Sequence, residues 1–370
     1  LLESRQLTNV GAAEATKLAF APGLNLLAGH SGLGKSFLLD TAWWALSWRW
    51  LRQMNGAIAS GYPAIPTDVR QPATIRYRLG AGARSASYTT KYSPRDQDWL
   101  GRSGRPCGTS LVVYALADGG FAVWDPCRNF WRRRGPRDVH DMIAAHVFSF
   151  DEVWHGRTIE FERRPLQTCQ GILYDWSTWI RERGADGARM AAVLRHLSST
   201  PEQPRGIDVG DGFARLSLQD ARDVPTIRTP YGASVSSVHA ARGVRRIISM
   251  AYVLAWAWRQ HLIAAERLGE SRSRQLVVLV DDVEAHLDER WQRRLLPALL
   301  ALGLPLTGAR DLQVQVLAAT HTAAMVDAAA RVATDARDRL FHVELADGRV
   351  RLAARPWAKA ADVVASLRAD

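Results

Sequence analysis

Gly29-His30-Ser31-Gly32-Leu33-Gly34-Lys35-Ser36 fills every fixed position of the pattern GxxxxGK[ST]. That spacing suits a polyphosphate. Glycines let the main chain approach phosphate oxygens, and the first amides of a following helix point the positive end of its dipole at them. Lys35 is then the cation for the β and γ phosphates, and Ser36 the hydroxyl for a magnesium ion. Hydrolysis also needs an outer carboxylate for the metal and a group that orients water. Val280-Asp281-Asp282 offers both, with Asp281 in the metal shell and Asp282 on the water. For the two to meet, the strand ending at Val280 is expected directly beside the strand that feeds the glycine-rich loop.

The surrounding pattern supplies such elements. Leu24 to Ala28 is a short apolar run between Gly23 and Gly29, and it reads as a buried strand. From about Lys35 to Leu51 no Gly or Pro interrupts a helix rich in Leu, Ala and Trp. Trp44 and Trp48 are four apart on it and share a face, which predicts packing. Gln275 to Val280 is apolar throughout, as central parallel strands are. Gly243 to Ala265 is apolar nearly all round and reads as a buried helix. A helix over 288–302, a strand over 313–319, a helix after Thr322 and a hairpin at Ala346-Asp347-Gly348 complete this half. Between the halves, ATIRYRL, SASYTTKY and LVVYALADGGFAVW read as antiparallel strands. DMIAAHVF, GILYDWSTWIRERG and ARMAAVLRHLSS read as helices.

With the phosphate loop and acidic strand in hand, the chain resembles the ABC-type ATPases of the SMC, RecF and OLD group. LVVLVDDVEAHLDERW is similar to their Walker B and D-loop, with Asp281 and Asp282 as the acidic pair and Leu287-Asp288 ending the loop. Thr320-His321-Thr322 resembles the switch that senses the γ phosphate through His321. His239 to Arg246 resembles the signature segment, with Gly243 at its retained glycine. The resemblance implies that Gly243 and Asp288 meet nucleotide held by a second head, so that two heads sandwich Mg-ATP. Two departures stand out: Ala241 occupies the usual serine position, and Asp282 replaces the usual glutamate. No glutamine is assigned to a Q-loop. NLLAGHSGLGKSFLLDTAWWAL, YALADGGFAVWDPCRNFW and VEAHLDERWQRRLLPALL are similar to compact bacterial AAA-family ATPases of the OLD-like branch.

The expected fold is therefore α/β, a P-loop NTPase of ABC type with a largely parallel sheet, plus a β-rich lobe and a helical insertion. Its expected divisions are 1–60, the N-terminal ATPase half; 61–138, the β-rich lobe; 139–235, the helical insertion; 236–345, the C-terminal ATPase half; and 346–370, a hairpin end and tail. The expected cofactors are ATP and Mg2+. Expected partners are a second head, identical or not, duplex DNA, and a separate effector chain in genome maintenance or phage defence. A nucleotide-gated scaffold with little turnover is the alternative, and a P-loop phosphotransferase a more distant one.

Bulk composition sets outer limits. With 370 residues, 47% hydrophobic and 23% charged, the chain can bury a sizeable core and is not of the disordered class. No uncharged stretch reaches the roughly 20 residues a membrane helix needs. The first residue is Leu, and no basic segment followed by an apolar run opens the chain, so no signal peptide is expected. Cys107, Cys127 and Cys169 form no CxxC pair, which predicts a reducing, cytoplasmic setting without disulfides or structural zinc. The net charge of +11 attracts polyanions, and Arg132-Arg133-Arg134, Arg163-Arg164, Arg245-Arg246 and Arg293-Arg294 are clusters a DNA surface could gather. Only four of the 48 basic residues are lysine, so biased codon usage accounts for the charge equally well.

Overall fold

Eight strands build the sheet that carries the candidate site. They are β1 (Leu24–Ala28), β2 (Leu111–Ala115), β3 (Phe121–Trp124), β4 (Ala145–Phe148), β5 (Gln275–Val280), β6 (Gln313–Thr320), β7 (Arg339–Ala346) and β8 (Arg349–Arg355). This is a computed structural model, and it describes all residues except 14, 82–83, 101–107, 109, 130–131, 135–136, 140–142, 230–231 and 370. Cys107 thus lies outside the described residues, while Cys127 and Cys169 are buried free thiols.

The spatial order is β4-β3-β2-β5-β6-β1-β7-β8. The five central strands run parallel, and antiparallel hairpins close both edges. The composition of β5 explains its central place. Leu276, Val278 and Val280 enter the core on one face while Val277 and Leu279 enter the core on the other. A strand covered on both sides has to be apolar at every position.

On the first face lies the 27-residue helix α2 (Arg242–Leu268), with helices Ile172–Glu182 and Ala185–Ser198 beside it. On the second face lie α1 (Lys35–Ser47) and a second sheet of five strands from Leu2–Thr8, Ala15–Ala19, Thr74–Ala81, Arg84–Ser93 and Asp98–Trp99. Helix α1 stops at Ser47, short of the expected Leu51. Trp48 takes a left-handed conformation (φ 58°) and gives its amide to the Trp44 carbonyl. The break lets Trp50 stack on Trp44 at 5.5 Å, so the tryptophans of this segment pack in the core.

The middle of the chain departs from expectation in three respects. Residues 61–138 do not make one lobe: the strands Thr74–Ser93 join the second sheet, whereas β2 and β3 extend the main one. In DMIAAHVF, Asp141 and Met142 lie outside the described residues, and Ala145–Phe148 is strand β4, not helix. Its apolar side chains alternate between the two cores, Ala145 and Val147 in one and Phe148 in the other, which is a period of two. The region 139–235 also holds two small sheets besides its helices. Past residue 346, β8 pairs with β7 in the main sheet, and helix Ala360–Arg368 buries Val363 and Val364 in the first core. Among the described residues no helix is long and apolar enough to cross a membrane.

Candidate nucleotide site

Parallel pairing brings three strand ends level. Ala28 of β1 faces Thr320 of β6, and Ala318 of β6 faces Val280 of β5. Gly29, His321 and Asp281 therefore leave the same edge of the sheet. The sequence reading put β5 directly beside β1; instead β6 lies between them. The histidine strand is inserted because β6 is buried on both faces over Val314 to Ala319, apolar but for Gln315, whose amide donates to the Leu2 and Ala21 carbonyls, so it fits the centre of the sheet as β5 does.

After β1 the chain turns through the glycine-rich loop. Gly32 and Gly34 have φ of 82° and 83°, a region that side chains disfavour, and the space a Cβ would occupy at Gly32 is empty. Helix α1 begins at Lys35 with no side-chain cap, so its first amides are left for an incoming anion. His30 is held by the last helix, its Nε2 lying 3.2 Å from the Ser366 carbonyl, while Ser31 is exposed and Leu33 half-buried.

Lys35 folds back over the loop, its Nζ donating to the Gly29 and His30 carbonyls at 2.6 and 2.7 Å. Burial pushes its pKa down, while Glu284, Asp281 and Asp282 pull the other way. The Ser36 hydroxyl is near enough to Asp281 to favour its charged form. Asp281 is 5% exposed, and burial raises its pKa against the pull of the nearby Ser36 hydroxyl. A hydroxyl and a carboxylate close to each other are the hard oxygen donors that magnesium takes.

Asp282 sits in a left-handed conformation (φ 46°), and its Oδ1 lies 3.0 Å from His321 Nδ1. Lys35, Ser36, Asp281, Asp282 and His321 thus share one edge. Gly243 and Asp288 form a separate contact area. Gly243 abuts the His286 carbonyl, which a Cβ at Gly243 would approach to 2.4 Å. Asp288 caps the helix α3 (Glu289–Leu300), accepting from the Trp291 amide at 3.1 Å. Ala241 is the residue that caps α2, and it brings no hydroxyl.

Three buried groups stand here: sequence reasoning passed over Glu284 and Asp40, and it offered Arg246 to a DNA-binding surface, from which burial withdraws it. Arg246 is 6% exposed and donates to the Asp281 and Asp282 carbonyls, both at 3.0 Å, tying the start of α2 to the end of β5. Glu284 lies against Thr320 and His321; its signal was an acid three residues after Asp281. Asp40, one helical turn past Ser36, accepts from the Tyr114 hydroxyl at 3.0 Å. Nothing in the local pattern marks Asp40 or shows that Arg246 is buried.

Burial pushes the Asp40 pKa up to about 7, with the Asp281 charge adding to the rise. A carboxyl with a raised folded pKa favours the native state while protonated, and that contribution is lost as pH climbs from about 4 through about 7. Asp40→Asn has no charge to desolvate. Its stability relative to the parent is expected to grow across that window by a few kcal/mol, on the order set by linkage. Denaturant melts at pH 4.5, 6 and 8 read this; a constant difference at all three would contradict it.

No family model matches the chain. Among solved structures, it is similar to an Smc head domain with an extended coiled coil, from Pyrococcus furiosus and bound to the C-terminal domain of ScpA. The TM-score is 0.51 and the identity 12%, over 100% of this chain and 99% of that one. An SMC head domain from Thermotoga maritima follows at a TM-score of 0.43 and 12% identity, covering 96% and 98%. The recombination mediator RecF with ATP gives 0.44 and 14%, covering 95% and 99%. The chain has the fold of an SMC head, an α/β P-loop fold of ABC type built on a largely parallel sheet.

Proposed function

We propose that the chain is an ATPase that binds Mg-ATP, pairs with a second head upon it, and couples nucleotide state to DNA or to a separate effector chain. The observation that carries this reading is that the glycine-rich loop, Asp281 and His321 leave one edge of the sheet, with Lys35 close to three carboxylates. Magnesium would be held by Ser36 and Asp281, where it neutralises charge on the phosphate oxygens. Lys35 exchanges its two carbonyl bonds for phosphate oxygens. The loop amides from Gly29 to Ser36 cradle the phosphates, Asp282 orients water and His321 contacts the terminal phosphate. The paired arrangement would draw on the segments that carry Gly243 and Asp288. That a neighbour in fold was solved with a ScpA domain upon it favours a protein partner here as well.

Light scattering with and without Mg2+ and a non-hydrolysable ATP analogue tests the pairing. A doubled mass with analogue is expected, and an unchanged mass would remove the paired head. Repeating it with duplex DNA separates a DNA-coupled head from one that serves only an effector.

Ala241 and Asp282 favour a second reading, a nucleotide-gated scaffold that hardly turns over. Aspartate is one methylene shorter than glutamate, and misplacement by about 1 Å lowers a rate about 100-fold. On the scaffold reading, Asp282→Glu raises turnover by about tenfold or more. Brisk hydrolysis by the parent chain, measured as phosphate release, would discard the scaffold.

A further inference from the structure

The Glu284 side chain is 4% exposed, and no step above uses it. Its Oε1 accepts two hydrogen bonds, from the Thr320 hydroxyl at 2.9 Å and the His321 amide at 2.7 Å, and lies 2.9 Å from His321 Nδ1. Its Oε2 is buried and has no hydrogen-bond partner among the described residues. One oxygen thereby bonds the main chain at the end of β6 and faces the imidazole ring. Asp282 reaches the same Nδ1 at 3.0 Å, but its side chain is 35% exposed. A carboxylate withdrawn from water interacts more strongly with a ring proton than one facing solvent.

We propose that Glu284 is a positioning residue, which holds the His321 ring with Nδ1 inward so that Nε2 is the nitrogen presented to the terminal phosphate. The proposal deepens the nucleotide reading of this edge and rests on it. The proton of an imidazole stays on the nitrogen that faces a carboxylate, and the opposite nitrogen is thereby assigned its role. Because Glu284 anchors the ring, Asp282 is left to orient water. The same β5 end thus carries two acids with separate duties: a solvent-facing one for the reaction and a buried one for the switch.

The test uses the full chain labelled with 15N-histidine, at a pH where imidazole is neutral. Long-range proton–nitrogen correlation spectra report the tautomer of each ring, and loss of signals in His321→Gln identifies His321. The parent is expected to carry the proton on Nδ1. Glu284→Met removes the acceptor at similar volume and shifts the population toward Nε2–H, while Glu284→Gln, whose amide oxygen still accepts, restores Nδ1–H in part. In the same proteins, Mg2+ with the analogue AMP-PNP binds the parent and Glu284→Met within about threefold, while kcat of Glu284→Met falls about tenfold or more. A purely structural role would instead weaken nucleotide binding together with thermal stability and leave the tautomer alone. An unchanged Nδ1–H tautomer in Glu284→Met overturns the proposal. If Glu284→Met does not fold, Thr320→Val strips one anchor from Oε1 and must loosen the same tautomer preference; no change there has the same force. Failure of the parent to bind the nucleotide sinks the reading of the site, and the tautomer spectra, taken without nucleotide, still decide whether Glu284 sets the ring.

Discussion

Lys35→Ala is expected to lower affinity for Mg-ATP by at least two orders of magnitude. In the folded chain Nζ is bonded to two loop carbonyls, Gly29 and His30. Those bonds hold the ammonium over the loop, where three carboxylates oppose the lowering of its pKa by burial. On binding these bonds are exchanged for bonds to phosphate oxygens; bonds from a charged donor are worth about 1.5–3 kcal/mol each, so losing two to phosphate costs about 3–6 kcal/mol of binding. That corresponds to at least about 100-fold in Kd. Titration calorimetry of the parent and Lys35→Ala with Mg-ATP measures it directly. Equal affinities, in a variant that still melts cooperatively, would end the nucleotide reading altogether. Unfolding of the variant would not mimic that result, because the melt reports it separately.

The second large effect is on stability. A Cβ added at Gly29 would stand 2.1 Å from the Val343 carbonyl oxygen and 3.0 Å from its carbon. Val343 belongs to β7, which is paired with β1 over Asn25 to Ala28, so the obstructing atom is main chain within a sheet and has nowhere to move. Overpacking of this kind costs typically 1–3 kcal/mol and occasionally more, and Gly29→Ala is expected near about 3 kcal/mol. Gly32→Ala is the comparison, since nothing lies within 4 Å of its Cβ and only the positive φ is at stake. A cost of about 1 kcal/mol follows for that change. Urea denaturation without nucleotide measures both, and a Gly29→Ala variant as stable as Gly32→Ala would refute the packing argument. The two glycines of one motif thus serve different ends, close packing of strands at the first and backbone conformation at the other.

The candidate site was legible in the sequence wherever its residues are neighbours along the chain. Gly29 to Ser36 form one turn and the start of a helix, and Asp281 and Asp282 end one strand. Such segments announce themselves, because loop conformation and helix start are settled within a few residues. The all-apolar β5 and the apolar girth of α2 were equally readable, since burial on every side leaves no room for a polar position. Helix α1 was read too long, because the left-handed turn at Trp48 answers to the stacking of Trp44 on Trp50 and to no local breaker.

Tertiary structure decided the rest. Placement of β6 between β5 and β1 depends on which apolar strands pair, and several strands of this chain satisfy the same pattern. The strands of the middle region divide between two sheets for the same reason. Arg246 under the β5 carbonyls and Glu284 against His321 gain their meaning only from contacts 35 and 37 residues away. A charged side chain reads as surface until the fold shows what surrounds it. Periodicity reports which faces are buried, and it carries no information on what a buried charge will find there. The conformation of the glycine-rich loop was therefore written locally, while the strand order beside it and the acid that lies against His321 were set by packing between distant parts of the chain.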